Sequence, residues 1–221
     1  MIGAFSGSNN NGDQCSFFGA DAGPAAASTY NNSTALGYNT TISADNQVRV
    51  GNSAVTSIGG FAFWTNLSDQ RFKHQLQEDV PGLDFILQLR PLTYQVKMQE
   101  LANALHEDER SEGKLSEQYR AETLAHRNAK AAIRHTGFLA QEVEAAAKKI
   151  GYDFSGVDVP QNEESFYGLR YAAFTVPLVK AVQEQQASIE DLKKENARLR
   201  ADNDALKARL DKIEAVIKQM N

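Results

Sequence analysis

The stretch I-E-D-L-K-K-E-N-A-R-L-R-A-D-N-D-A-L (Ile189–Leu206) decides the architecture of the C-terminal part of the chain. It is built of heptads whose first and fourth positions, a and d, are mostly apolar, and the repeat extends beyond the stretch. Position a holds Ile189, Asn196, Asn203, Leu210 and Ile217, and position d holds Leu192, Leu199, Leu206, Ile213 and Met220. A sustained three-four apolar repeat predicts one long helix in a left-handed coiled coil.

The charged residues beside this seam predict parallel strands. In a parallel coiled coil, position g faces position e five residues later on a neighbouring helix, which pairs Glu195 with Arg200, Asp202 with Lys207, and Arg209 with Glu214. Each exposed pair of opposite charges contributes only about a few tenths of a kcal/mol, so the pairs act mainly on orientation and register. Asparagine at position a favours in-register pairing and a dimer, whereas the N-terminal zone favours a trimer, so the heptads leave both states open.

Residues 1–67 have a different character, with Gly, Asn, Ser and Thr around short apolar runs. Three similar units place apolar residues before a glycine: S-F-F-G-A-D-A (Ser16–Ala22), T-A-L-G-Y-N-T (Thr34–Thr40) and R-V-G-N-S-A-V (Arg49–Val55). The separations of 18 and 14 residues between Gly19, Gly37 and Gly51 predict the coils of a β-solenoid-like stalk, with a glycine at each bend. Three such units bury little apolar surface, so we expect neighbouring chains to complete the core. The alternative is a disordered linker.

Residues 68–174 are predicted to form a compact α+β unit. A helix is expected from Pro81 to Leu89, and Pro91 then prevents its continuation. The polar stretch 98–132 has helical composition and a weak apolar stripe, which predicts an exposed helical excursion. The other expected elements are a strand over Leu92–Val96, a strand and helix from His135 that end at Gly151, a strand over Ser165–Tyr171, and a cap at Thr175 for the last helix, which occupies residues 175–221.

The composition limits the classes of function. A net charge of −5, with acids and bases interspersed, provides no basic surface for phosphates, so nucleic acid is not an expected partner. The single cysteine, Cys15, excludes an intrachain disulfide and is expected to be a small buried hydrophobic residue. No apolar run reaches the roughly 20 residues of a membrane span. Neither a metal nor another cofactor is expected, because zinc-ligand spacing is missing among His74, His106, His126 and His135.

The junction between the first two zones reads L-S-D-Q-R-F-K-H (Leu67–His74). A serine hydroxyl becomes nucleophilic when a base takes its proton, and a lysine is such a base when burial or nearby cations keep its amine neutral. Ser68 and Lys73 are five residues apart, a spacing that neither a strand nor a helix puts on one face. The chain must therefore turn between them, or the pair must form between subunits. The alternative is that Ser68 only caps a helix opened by Asp69.

Three aromatic residues, Phe61, Phe63 and Trp64, precede this junction. Aromatic rings in a row are typical of carbohydrate-binding surfaces and also of hydrophobic anchors. We favour the anchor, which would fix the end of the stalk.

The motif S-D-Q-R-F-K (Ser68–Lys73) resembles the S-D-x-R-x-K signature that opens the intramolecular chaperone domain of phage endosialidases, tailspikes and tail fibres, the S74 peptidase family. The stretches G-F-L-A-Q-E-V-E (Gly137–Glu144) and Y-G-L-R-Y-A-A-F-T-V-P-L-V-K-A-V-Q-E-Q-Q (Tyr167–Gln186) resemble later family motifs, in the same order. The resemblance implies that Ser68 is the nucleophile, that Lys73 is its base, and that the Leu67–Ser68 bond is cut. It assigns positioning roles to Asp69 and Arg71, which complete the motif.

The same resemblance implies a homotrimer, and residues 1–67 are similar to the head repeats of trimeric adhesins. The chain is therefore expected to trimerise through coiled coil and stalk, to assist folding of the upstream fibre segment of its own chain, and then to release itself by single-turnover self-cleavage. Such a protein belongs to a phage virion, as tail fibre or tailspike, or to a bacterial cell surface.

Two alternatives remain at this point. The first is a non-proteolytic module for trimerisation and receptor binding at the end of a tail fibre or adhesin. The second is the related autoprocessing domain of membrane-tethered transcription factors such as myelin regulatory factor. That reading requires a DNA-binding domain before the motif and a membrane helix after it, and neither is visible in the given sequence.

Overall fold

The computed structural model describes residues 1–110, 112–113 and 116–220, and of Met220 it describes only the backbone. The predicted d-position side chain of Met220 and three residues of the predicted excursion therefore lie outside the described part. The chain is a mixed α/β structure that forms two compact units. The first contains Met1–His74, Arg90–Glu142 and Val157–Leu169, and the second contains Gln75–Leu89, Val143–Gly156 and the C-terminal segment from Arg170.

Short parallel strands form the N-terminal part of the first unit. Strands β1 (Ser16–Phe18), β3 (Thr34–Leu36) and β5 (Val48–Val50) make one sheet, and β2 (Gly23–Pro24) pairs with β4 (Thr41–Ile42). Ser16 lies opposite Thr34, and Thr34 lies opposite Val48, so the successive repeats align at the spacing expected from the sequence. These stacked repeats within residues 1–55 are called the coils below. Gly19 and Gly37 end β1 and β3 with φ of 127° and 116°, values that a residue with a Cβ atom rarely adopts.

Alternate side chains of these strands point inward and outward. Phe17, Ala22, Ala35 and Ile42 form the buried core of the coils, and the half-buried Cys15 packs against it. The next position of each strand faces outward, which leaves an exposed apolar row of Ile2, Phe18, Leu36 and Val50. The coils thus have a small core of their own and a second apolar surface outside.

The remainder of the first unit is a β-ribbon with a helical segment inserted between its strands. Strands β6 (Leu92–Tyr94) and β7 (His135–Gly137) are antiparallel, and between them lie α2 (Met98–Ala104), α3 (Glu107–Arg110) and α4 (Glu117–Ala131). A second antiparallel pair joins β8 (Val157–Asp158) to β9 (Gly168–Leu169). The excursion forms helices, as predicted, and most of its described residues are exposed. Met98, Ala102, Glu107 and Arg127 are the exceptions, because they are buried.

An aromatic cluster forms the core of the second unit. Phe85, in α1 (Leu83–Ile86), has its ring centroid 5.3 Å from that of Tyr152 and 4.8 Å from that of Phe154. Phe174, in a 3-10 turn over Tyr171–Phe174, lies 4.9 Å from Phe154. The Glu184 side chain of α6 accepts a hydrogen bond of 2.8 Å from the Leu83 amide, which fixes the start of α1 against the long helix.

Several predicted elements differ in extent from those observed. Helix α1 is a single turn, because Gln88 and Leu89 donate to carbonyls three residues back and Pro91 follows closely. The predicted strand over Ser165–Tyr171 is reduced to β9. Helix α5 (Ala140–Lys149) follows β7 as expected, and Gly151, with φ of 69°, ends it in a left-handed conformation.

Helix α6 (Thr175–Met220) has 46 residues and is about 69 Å long at 1.5 Å per residue. Thr175 lies within its first turn, with φ of −60° and ψ of −38°, so it is not the separate cap that the sequence suggested. The heptad residues are about half exposed in the single chain, with 46% for Ile189, 62% for Leu192 and 55% for Leu210. This exposed stripe is compatible with a coiled coil. Among the described residues, no helix has both the length and the apolar character that a membrane span requires.

Candidate functional site

The predicted cleavage site lies in an exposed segment of the first unit. Every residue from Val55 to Ser68 is exposed, and Leu67 exposes 83% of its surface. The segment has no assigned helix or strand until a 3-10 turn over Gln70–Phe72. The peptide bond between Leu67 and Ser68 is therefore reachable by another group without unfolding of either compact unit.

The 3-10 turn brings the predicted serine and lysine together. The Lys73 Nζ donates a hydrogen bond of 2.7 Å to the Ser68 Oγ. This contact is possible because the chain reverses between the two residues, with the Phe72 amide bonded to the Asp69 carbonyl and the Lys73 amide bonded to the Gln70 carbonyl. Within the single chain, Ser68 and Lys73 thus meet through a turn, which is one of the two arrangements that their spacing allows.

Asp69, rather than Ser68, caps this turn. The Asp69 Oδ1 accepts a hydrogen bond of 2.9 Å from the Arg71 amide, as an N-cap side chain does. The alternative in which Ser68 is the cap is therefore wrong, because the serine hydroxyl contacts the lysine amine instead.

The Asp69 carboxylate is also held by the side chain of Arg71. Arg71 Nε lies 3.1 Å from Oδ1 and 3.0 Å from Oδ2, and Nη2 lies 2.6 Å from Oδ2. These hydrogen bonds lower the pKa of Asp69 and raise the pKa of Arg71. The Arg71 guanidinium also lies 5.8 Å from the ring centroid of the exposed Phe72. Both residues thus lie in the turn that carries Ser68 and Lys73, and their positioning role stays a prediction.

The site contains the two groups that a Ser-Lys mechanism needs, but the hydrogen bond between them runs in the direction opposite to that of catalysis. Here the lysine donates and the serine oxygen accepts. Catalysis requires the reverse, with a neutral amine accepting the serine proton, and a lysine becomes neutral near pH 7 only when it is desolvated or placed beside other cations. Ser68 and Lys73 are both exposed in the single chain.

The other candidate residues are the aromatic residues before the junction and the histidines. Phe61, Phe63 and Trp64 are fully or nearly fully exposed in the single chain. His135 packs against Tyr94, with ring centroids 5.8 Å apart, and the His106 Nδ1 lies 2.8 Å from Glu109 Oε2. Within the described residues, no group of three or more His, Cys, Asp or Glu side chains is arranged to hold a metal ion.

Sequence reasoning missed a buried ionic cluster on the helical segment. Glu107 and Arg127 have side chains only 2% and 6% exposed, and Arg127 Nη2 donates to Glu107 Oε2 at 3.0 Å. The same guanidinium contacts Asp108 Oδ1 at 2.7 Å. Burial acts to raise the pKa of Asp108, but hydrogen bonds from Arg127 and Gln99 outweigh it and lower the pKa. The only signal was the E-D-E-R run at residues 107–110, which is more often a solvated surface.

A cavity of about 530 Å³ adjoins this cluster. Tyr38 from the coils and Tyr119 from α4 form part of its wall, with their rings edge-to-face and centroids 6.1 Å apart. Glu107 and Arg127 also line it. Both the cluster and the cavity belong to the first unit, together with Ser68 and Lys73.

Comparison with known proteins agrees with the motif at the turn. No curated protein and no solved structure matches the chain. Residues 68–152 match the model of the peptidase S74 family, described as chaperone of endosialidase. The match begins at Ser68 and includes the second motif, Gly137–Glu144, whereas the third, Tyr167–Gln186, lies beyond it. Over residues 68–152, which begin with the Ser-Lys turn, the chain is therefore similar to the chaperone-of-endosialidase family.

Proposed function

We propose that this chain is a self-cleaving intramolecular chaperone for a trimeric fibre. Residues 1–67 are the end of a β-solenoid-like stalk, residues 68–174 are the chaperone and peptidase domain, and residues 175–221 form a parallel coiled coil. The upstream fibre segment of its own chain is the folding client, and the assembly belongs to a phage tail fibre or tailspike, or to a bacterial surface fibre. The single observation that carries the proposal is the 2.7 Å contact between Ser68 and Lys73 at an exposed junction.

The proposed trimer rests on apolar surface that one chain does not bury. The a and d side chains of α6 are about half exposed, and the coils expose a second apolar row. Fully burying a Leu or Ile side chain contributes about 1.5–3 kcal/mol, so association of these surfaces has a large driving force. The charge pairs at g and e favour parallel helices. In a parallel bundle, the three chaperone domains, which precede the helices in the sequence, come to the same end.

The chaperone role follows from the order of folding. Parallel strand pairs within the coils join residues 14 to 18 positions apart, and a longer stack also needs the correct partner chains, so the stalk is expected to fold slowly. A C-terminal coiled coil forms early and holds three chain ends together, which raises their local concentration. After the chain is cut, the assembled fibre can no longer unfold by reversing its folding path, so it becomes kinetically stable.

The chemistry is one cleavage per chain. Ser68 Oγ attacks the carbonyl carbon of Leu67, either its own or that of a neighbouring chain, and Lys73 takes the hydroxyl proton. That proton then passes to the departing amide nitrogen of Ser68, the peptide bond breaks, and an ester links Leu67 to the serine oxygen. Water hydrolyses the ester, which gives a carboxylate at Leu67 and a free amine at Ser68. Because Lys73 is exposed in the single chain, we propose that neighbouring subunits cover it and keep its amine neutral.

Mass spectrometry of freshly expressed protein tests this function. The expected product starts at Ser68, and it disappears in Ser68→Ala and in Lys73→Ala. Lys97→Ala is the matched control, because Lys97 is an exposed lysine that pairs only locally with Glu100, 2.9 Å away, and cleavage should continue in it. Dilution of unfolded chains before refolding should slow cleavage, because the active arrangement requires three copies.

One observation favours a second candidate, a trimerisation module without proteolysis. Both Ser68 and Lys73 are exposed, and an exposed pair is suited to a purely structural hydrogen bond. An intact chain after trimerisation, with Ser68→Ala indistinguishable from the unaltered protein, would establish this alternative and end the proteolytic one.

A further inference from the structure

The helical segment contacts the coils through buried and half-buried polar groups on both sides of the predicted cut. The coil–helix interface is defined here as residues 21–55 of the coils with residues 105–130 of the helical segment. In it, Arg110 Nη1 donates to the Asp21 carbonyl at 2.9 Å, and Arg110 Nη2 donates to the Asn39 carbonyl at 2.8 Å. Burial lowers the pKa of Arg110, and nearby acidic groups act in the opposite direction.

The third coil is held in the same way. Lys130 Nζ donates to the carbonyls of Ser53 and Val55 at 2.7 and 2.6 Å. Glu107 accepts the Ser53 amide at 2.8 Å and the Ser53 hydroxyl at 2.5 Å. The Asn39 side chain in turn donates to the Glu107 carbonyl at 2.8 Å.

These acceptors come together only when the coils are stacked. Arg110 also donates to the Gly23 carbonyl and to the Thr41 hydroxyl. Gly23 and Thr41 lie opposite each other in the β2–β4 pair, so Arg110 contacts two successive coils. Lys130 contacts the coil after them. Arg110 and Lys130 donate mainly to main-chain oxygens, and the side chains of Asn39, Thr41 and Ser53 add further contacts. The helical segment therefore binds chiefly the stacked backbone.

None of the interface atoms lies in the exposed segment 56–68 that contains the predicted cut. We propose that cleavage of the Leu67–Ser68 bond does not by itself separate the two pieces, because the coil–helix interface continues to hold residues 1–67 to residues 68–221. Release is then a second step that follows disturbance of this interface. The inference rests on the proposed function only for the origin of the cut, since the interface exists in the uncut chain.

An externally made cut tests the inference without self-cleavage. The full chain carries Lys73→Ala and a recognition sequence for a site-specific protease between Gly59 and Gly60, where the backbone is exposed and has open space around it. After digestion at neutral pH and physiological salt, both pieces should elute together in size-exclusion chromatography. Two separate peaks would overturn the proposal, whatever Ser68 and Lys73 do.

Substitution of the two cations shows whether the interface is responsible. In Arg110→Met/Lys130→Met, the dissociation constant of the two pieces should rise at least about 30-fold, because charge-assisted hydrogen bonds with partly buried groups are lost. The matched control is Lys97→Met/Lys194→Met, which removes two exposed positive charges whose ion pairs in the described part of the chain are with a carboxylate three residues away. Unchanged association in a folded Arg110→Met/Lys130→Met protein would refute the inference.

A second measurement keeps the test decisive if that variant does not fold. Hydrogen exchange is compared before and after digestion of the protein with an unaltered interface. The Ser53 amide, which donates to Glu107, should stay protected after the cut. Exchange that accelerates to the rate of the isolated N-terminal piece would contradict the proposal even if the pieces co-elute.

Discussion

Replacing Arg127 by methionine should destabilise the first unit strongly, because it leaves a buried carboxylate without its cation. Glu107 and Arg127 are 2% and 6% exposed, with nitrogen and oxygen 3.0 Å apart. At an effective dielectric constant of about 20, two unit charges at this distance attract by about 5 kcal/mol. Desolvation of both ions cancels much of this attraction in the intact pair, whereas loss of one partner costs about 3–5 kcal/mol.

The double variant Arg127→Met/Glu107→Gln provides the control for this prediction. Glutamine keeps an oxygen that accepts the Ser53 amide, and it removes the unpaired charge. The double variant should therefore lose less stability than Arg127→Met alone. The two effects are then strongly non-additive, as expected for groups in direct contact.

Urea titration with hydrogen exchange on peptides from residues 98–131 measures this effect in a Ser68→Ala background, where the chain stays intact. With a slope of about 2 kcal/mol per molar urea, a loss of 3–5 kcal/mol moves the midpoint down by about 1.5–2.5 M. A shift below about 0.5 M for Arg127→Met, or equal shifts in the single and double variants, would refute the reasoning. Such a result would mean that water reaches Glu107 and replaces the guanidinium.

Three further outcomes are expected. Phe85→Ala should lower the stability of the second unit by about 3–5 kcal/mol in thermal unfolding, and Leu87→Ala, at a 76% exposed position, by less than about 1 kcal/mol; equal effects would contradict the assigned core. Asn196→Ile should raise the thermal midpoint of the helical assembly and broaden its distribution of oligomers in native mass spectrometry, and a lower midpoint would argue against position a. The pKa of Asp108 is lower in the folded state than in the unfolded state. Its charge therefore contributes fully to the free energy of unfolding above the unfolded-state pKa of about 4, and this contribution is lost as the pH falls through the folded-state pKa. The protection factors of the α4 amides, which are corrected for the intrinsic pH dependence of exchange, should therefore fall more between pH 6 and pH 3 in the unaltered protein than in Asp108→Asn, and an equal fall would remove Asp108 as the cause.

The parallel alignment of the coils was predictable because one local requirement repeats along the sequence. Gly19 and Gly37 occupy backbone conformations that other residues rarely adopt, and each follows an apolar pair. Their spacing therefore reproduces the register of β1, β3 and β5. The Ser68–Lys73 contact was predictable only in part, since their spacing allowed either a turn within one chain or a pair formed between subunits.

The position of the helical segment was not predictable from its composition. Glu107 and Arg127 are 20 positions apart, and burial of either is unfavourable without the other. Each charge therefore resembles a solvated surface residue when the sequence is read locally. The aromatic core of the second unit had the same difficulty, because Phe85, Tyr152 and Phe174 come from distant parts of the chain. These rings come together through tertiary contacts, which cannot be read from a sequence period.

Under the proposed function, the preference of Arg110 and Lys130 for main-chain oxygens has a consequence for how fibres with this domain diversify. A carbonyl is the same chemical group in every amino acid, so substitutions on the outward faces of the coils leave these acceptors in place. The coils can thus accumulate new surface residues, or be exchanged for other stacks of similar rise and curvature, while the helices that bind them stay unchanged. A single folding module would then serve many different fibres, and recombination at the junction would join them at little cost to assembly.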